Sequence, residues 1–182
     1  FLNYPAEVVF DEVHFGKFIS AYSTHQYYFD IHPPLGKLMI AGFARLNFAT
    51  ANFGGFTKIG EVMGAYALFI LRFLPALFGS LLPLIIYGIV LALGGSGKAA
   101  FLAGSLIVFD NAFLVESKFI LVDSFLLFFG FLSILVFLIS RKLEVPSIIE
   151  GQKDRFKKHL LYFLSIALAS LAFSIKWTGL SF

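Results

Sequence analysis

Between Gly64 and Leu93 the chain carries a single charge, Arg72, in an otherwise apolar run. About 20 mostly apolar residues cross the hydrocarbon core of a bilayer as a helix, so this run alone commits the fold to lipid. Three further candidate spans follow, over residues 99–115, 120–139 and 160–176. Asp110 interrupts the second of them late, and Asp123 stands near the start of the third. Composition points the same way. Of the residues, 59% are hydrophobic and 14% charged, against about 25% charged in a soluble domain, and the mean hydropathy is +0.88. This argues against a soluble domain, a disordered chain or a nucleic-acid binder. The net charge of +3 sits between apolar runs, where it reports topology. There is no Cys, hence no disulfide framework, thiol nucleophile or thiolate metal site. The reading is of a piece of a longer integral membrane protein, all-α and multi-pass.

The connectors set the orientation. The loop over residues 141–158 is rich in Lys and Arg (Arg141, Lys142, Lys153, Arg155, Lys157, Lys158) against Glu144, Glu150 and Asp154. The positive-inside rule makes it cytoplasmic. By parity the Gly94–Lys98 turn is cytoplasmic too, and the segment over residues 3–60 is external. Asp11, Glu12, His32, Arg72, Asp110, Glu116, Lys118, Asp123 and Lys176 then gather at one membrane face. Charges recur through the external segment, so it does not span. Phe15, Phe18, Ile19 and Tyr22 repeat at helical spacing. After His32-Pro33-Pro34, Leu35, Leu38, Met39, Phe43 and Leu46 form a second stripe, with Lys37 and Arg45 off it. Two amphipathic helices lying in the interface are expected.

Asp11-Glu12 is the sharpest chemical feature, and it has two readings. Neighbouring side chains at a helix start diverge by about 100°, so one carboxylate can act as general base for a hydroxyl while the other orients the acceptor. Equally, Asp11 can be an N-cap and Glu12 a first-turn acid. Arg72 inside a span usually marks a site, with snorkelling to the interface as the alternative. Lys118 can pair with Asp123 or face a phosphate. Asp110-Asn111 can simply end the second helix, and Lys176-Trp177 suits an interfacial anchor. His32 reads as a turn residue before proline. No two-His metal pattern and no glycine-rich phosphate loop occurs, so neither metal nor cofactor is expected. Carboxylates and cations at a membrane face suit transfer from a lipid-linked phosphate donor; the same inventory suits an ion-coupled transporter.

Longer motifs are more specific. Val9-Phe10-Asp11-Glu12-Val13-His14-Phe15-Gly16 and Phe29-Asp30-Ile31-His32-Pro33-Pro34-Leu35-Gly36-Lys37 closely resemble the first external loop of the protein O-mannosyltransferases. The run from Leu71-Arg72 to Gly79, that from Asp110-Asn111 to Ser117-Lys118 and Asp123-Ser124, and that from Ser174 to Leu180 resemble the same family in the same order. The His-Pro-Pro-Leu-Gly-Lys form is similar to prokaryotic members. The resemblance implies the N-terminal part of a GT-C helical bundle. It implies inverting transfer of mannose from polyprenyl or dolichyl phosphate to Ser or Thr hydroxyls of proteins. Asp11 would be the base and Glu12 would support acceptor placement. Arg72, Lys118 and Asp123 would serve the donor phosphate or organise the site, with His32 and Lys37 on the acceptor side. Lys118 stands where many members have Arg, and Lys lacks the bidentate fork. The location implied is the cell membrane in a prokaryote and the endoplasmic reticulum membrane in a eukaryote. A transferase with a lipid acceptor, such as aminoarabinose transfer to lipid A, is the nearest alternative. This piece alone is expected to be inactive.

Overall fold

A computed structural model describes residues 2–47, 55–142 and 152–182. Seven α-helices account for most of them: α1 Glu12–Thr24, α2 Leu35–Leu46, α3 Ala65–Ala92, α4 Gly97–Phe109, α5 Asn111–Lys118, α6 Asp123–Lys142 and α7 Gln152–Phe173. A 3₁₀ turn, Trp177–Ser181, follows α7. α3, α6 and the Arg155–Phe173 part of α7 are each long and apolar enough to cross a membrane. At 1.5 Å per residue, α3 is about 42 Å long, beyond the roughly 30 Å of a hydrocarbon core.

The second span, expected over 99–115 with Asp110 interrupting it late, is interrupted at that residue. It is a broken pair, α4 and α5, bent by 60°. Asp110 causes the break from the sequence upward. Its backbone is extended, it ends α4, and its carboxylate caps α5 by accepting the Phe113 N–H at 2.8 Å. A short polar side chain that hydrogen-bonds its own downstream backbone competes with helix continuation. The cytoplasmic loop expected over 141–158 lies outside the described residues from 143 to 151.

The spans pack α3 on α4 and α6, and α6 on α7. Many large apolar side chains along them remain exposed, among them Leu84, Phe101, Leu106 and Phe163. That is the expected surface for helices solvated by lipid. A buried core lies elsewhere, where α1 and α2 meet one end of the bundle: Val8, Val13, Ile19, Ile40, Phe56, Leu68, Leu71, Ile120, Phe125 and Ile175. Two glycines permit that approach. A Cβ on Gly16 of α1 would stand 2.1 Å from the Phe56 ring, and one on Gly36 of α2 would stand 2.8 Å from Val122. The Leu35 N–H, at the start of α2, donates to the Ser174 carbonyl beyond α7 at 3.0 Å. The α1–α2 segment is thus bolted to the bundle.

The faces of α1 and α2 are not those of simple interfacial stripes. On α2, Gly36, Lys37, Ile40, Ala41 and Ala44 are buried, while Leu38 and Leu46 are exposed. Small residues win the protein-facing side because they let the backbone approach. Lys37, expected off the apolar stripe, is buried. On α1, Ile19 enters the core, whereas Phe15 and Phe18 line a cleft.

Candidate active site

Glu12 is buried, with 1% of its surface exposed, and Arg72 has none exposed. Their fork-to-fork pair joins α1 to α3: Nε to Oε1 and Nη2 to Oε2, both 2.8 Å. Arg72 Nη1 also donates to the carbonyls of Leu2 (2.9 Å) and Pro5 (2.8 Å), and Nη2 to that of Glu7 (3.1 Å). A guanidinium has five N–H donors, and all five are engaged within the chain. While these bonds are kept, none is left for a phosphate.

The Glu12 carboxylate accepts two further bonds, from the Val9 N–H at 2.9 Å and the Ile120 N–H at 3.0 Å. It therefore ties α1, α3, the N-terminal segment and the α5–α6 connection into one unit. Buried in this way, Glu12 is placed to support the site through the elements it ties together rather than by direct contact. Breaking such a pair by removing one partner typically costs about 3–5 kcal/mol, because the other charge is left uncompensated.

The same clamp shapes the neighbouring turn. Glu12 N–H returns to the Val9 carbonyl at 3.1 Å, and Phe10 between them is forced to φ 47°. A bulky L-residue there bears strain of roughly 1–2 kcal/mol. Asp11 follows at the helix start, yet its side chain makes no capping bond. Asp11 thus holds the N-cap position through its backbone carbonyl, and only the side-chain cap is not realised. Its exposed carboxylate instead lines a cleft of about 460 Å3, shared with Phe10, His14, Phe15, His32, Glu116, Asp123 and Lys176. Asp11, His14, Phe15 and Phe18 share one face of α1 at helical spacing.

The cleft's other charges are mostly paired. Asp123 Oδ1 accepts from Lys176 Nζ at 2.7 Å, so the expected Lys118–Asp123 pair does not form, and Lys176 is more than an interfacial anchor. Lys118 lies over the rings of Tyr4 and Phe119, at 5.7 and 5.9 Å from their centroids. It lines a separate apolar groove between α3 and α5. Asp30 is paired with the buried Lys37 ammonium, which also donates to the His32 carbonyl at 3.0 Å. Burial alone would raise the Asp30 carboxyl, but the Lys37 ammonium and the His32 N–H hold it below its usual range. Among the described residues Asp11 has no ion-pair or hydrogen-bond partner for its side chain, which leaves it open to a substrate. No cluster of three or more His, Asp or Glu suited to a metal occurs among the described residues.

Sequence reading thus missed Phe10 and His14 as cleft residues, although His14 had a usable signal, one helical turn after Asp11. Glu116 was grouped with the other charges of that face by span parity, and the cleft includes it.

Comparison with known proteins gives the family and the fold. The whole chain, residues 1–182, matches the family described as dolichyl-phosphate-mannose-protein mannosyltransferase. It is 44% identical to protein O-mannosyltransferase 1 of Drosophila melanogaster over 124 residues, 68% of this chain and 14% of that protein. It is 33% identical to dolichyl-phosphate-mannose–protein mannosyltransferase 1 of Saccharomyces cerevisiae over 181 residues, 98% of this chain and 21% of that protein. Its fold superposes on the S. cerevisiae protein O-mannosyltransferase Pmt1-Pmt2 complex bound to the sugar donor with a TM-score of 0.83 and 31% identity. That match covers 98% of this chain and 23% of the yeast one. The chain therefore spans about a fifth of such relatives, and across that span it has their all-helical membrane fold. On the match over its full length, this chain belongs to the dolichyl-phosphate-mannose-protein mannosyltransferase family.

Proposed function

We propose that the enzyme carrying this chain is a multi-pass membrane glycosyltransferase. It moves mannose from a polyprenyl or dolichyl phosphate to Ser or Thr hydroxyls of proteins, with Asp11 as general base. The observation that carries the reading is the contrast between adjacent carboxylates: Glu12 is locked by four hydrogen bonds, while Asp11 faces the cleft. In the proposed step the Asp11 carboxylate takes the hydroxyl proton as the hydroxyl oxygen bonds to mannose C1. The bond from C1 to the phosphate oxygen breaks, and its electron pair leaves with the lipid phosphate. One in-line displacement inverts C1. Lys176, which spends one N–H on Asp123, retains donors for an anion in the cleft. Lys118 serves the donor only if the donor reaches the neighbouring groove.

The test uses membranes containing the enzyme, radiolabelled polyprenyl-phosphate mannose and a Ser/Thr-rich peptide. Label on the peptide is expected; label on lipid would instead support a lipid-acceptor transferase, and label on neither would revive the transporter. Asp11→Asn should lower kcat about 10²–10⁴-fold, the usual span for loss of a general base. Undiminished turnover in that variant would remove Asp11 from the chemistry.

A further inference from the structure

The Asp11 cleft does not end at His32. Asp30 and His32 line both it and a second, larger trench of about 620 Å3, walled by the C-terminal end of α1 and by Tyr27 and Tyr28. We propose that this trench is an acceptor subsite that holds the extended polypeptide flanking the target hydroxyl. The inference rests on the reading of Asp11 as base, and three features of the trench favour a polypeptide there.

The first is continuity: a peptide whose hydroxyl reaches Asp11 can run over the Asp30–His32 saddle without leaving the surface. The second is charge. The Asp30–Lys37 pair leaves the trench floor neutral, which suits an uncharged peptide backbone and offers little to a lipid phosphate. The third is wall chemistry. Tyr rings with Gln26 and His25 provide rigid contact area and hydrogen bonds, the combination that lets antibody paratopes grip varied peptides at small entropic cost. Tyr28 is fixed in advance, stacked on Phe18 at 4.8 Å and edge-on to Tyr22 at 5.3 Å between ring centroids. Tyr27, in contrast, is 91% exposed, an aromatic face with nothing on it. At the junction His32 Nδ1 is buried without a hydrogen-bond partner among the described residues. A small turn of that ring would offer the nitrogen to a bound backbone N–H.

The experiment compares wild type with Tyr27→Ala and the double variant Gln26→Ala/Tyr27→Ala in enzyme-containing membranes. Acceptors are a long Ser-containing peptide and a Ser tripeptide with blocked ends. Both positions are exposed, so the core is not disturbed, and thermal stability in detergent serves as the check. Loss of an aromatic contact should raise KM for the long peptide about three- to tenfold. KM for the tripeptide and for the donor, and kcat throughout, should stay at wild-type values. Equal KM effects on both peptides, a raised donor KM, or unchanged kinetics, with or without weaker membrane association, would each overturn the proposal. If wild type labels lipid and no peptide, the reading of Asp11's reaction fails instead, a result distinct from any of these.

Discussion

At the scale of single residues, the adjacent carboxylates have opposite physical situations and should fail in different ways. Asp11→Asn removes a proton acceptor from an exposed side chain without a cap bond, so its thermal midpoint should match wild type while turnover collapses. Glu12→Gln leaves the Arg72 charge buried and half-paired, and should lower stability by about 3–5 kcal/mol. Thermal unfolding of both variants in detergent separates the two. A Glu12→Gln protein as stable as wild type would show that the buried pair is not what holds the loop. Phe10 gives a third contrast. Its backbone at φ 47° suits Asn, which visits the left-handed region readily, whereas a β-branched residue is worse there. Phe10→Asn should therefore unfold no earlier than wild type, and Phe10→Val earlier. Because the Phe10 ring is 70% exposed at the cleft rim, both variants should be slower in the proposed transfer. An Asn variant less stable than wild type would mean the ring is held for packing.

At the scale of elements, the site depends on how α1 and α2 are seated rather than on their amphipathic character. Gly36 marks the seat of α2: its missing side chain is what brings the helix against Val122 and Ile175. Gly36→Val should overpack this contact at a cost of about 1–3 kcal/mol. Activity should fall with it, since Lys37, Asp30 and His32 move with the helix. Gly42, on the same helix with open space around it, is the control. Gly42→Ala should stabilise by up to about 1 kcal/mol through helix propensity. Thermal midpoints of the two variants check the pair. Equal effects would mean that backbone flexibility, not close packing, explains the glycines of α2.

At the scale of the whole molecule, the order of the candidate spans predicts α1 and α2 on one side of the membrane and the Gly94–Lys98 turn on the other. Single cysteines at Thr24 and Lys98, in an otherwise cysteine-free enzyme, should label from opposite faces; labelling of both from one face would break the clustering of site residues. Much of this was legible in the chain itself. The apolar runs, their lengths and the basic connector are local properties, because the bilayer imposes thickness and charge asymmetry on each span separately. The helix starts, the break at Asp110 and the motif order are local as well. The partners of charged residues are not local. Arg72 meets Glu12 across sixty positions, and Asp123 takes Lys176 rather than Lys118 five residues away. Which carboxylate is buried and which is free depends on where α3 and the α5–α6 connection land against α1. Adjacent residues on a helix point in different directions, and a desolvated charge persists only where the fold supplies a partner. The sequence by itself determined that Asp11 and Glu12 stand together at an outer helix start. Only the tertiary structure decided that Glu12 is the internal clamp and Asp11 the group left facing the cleft.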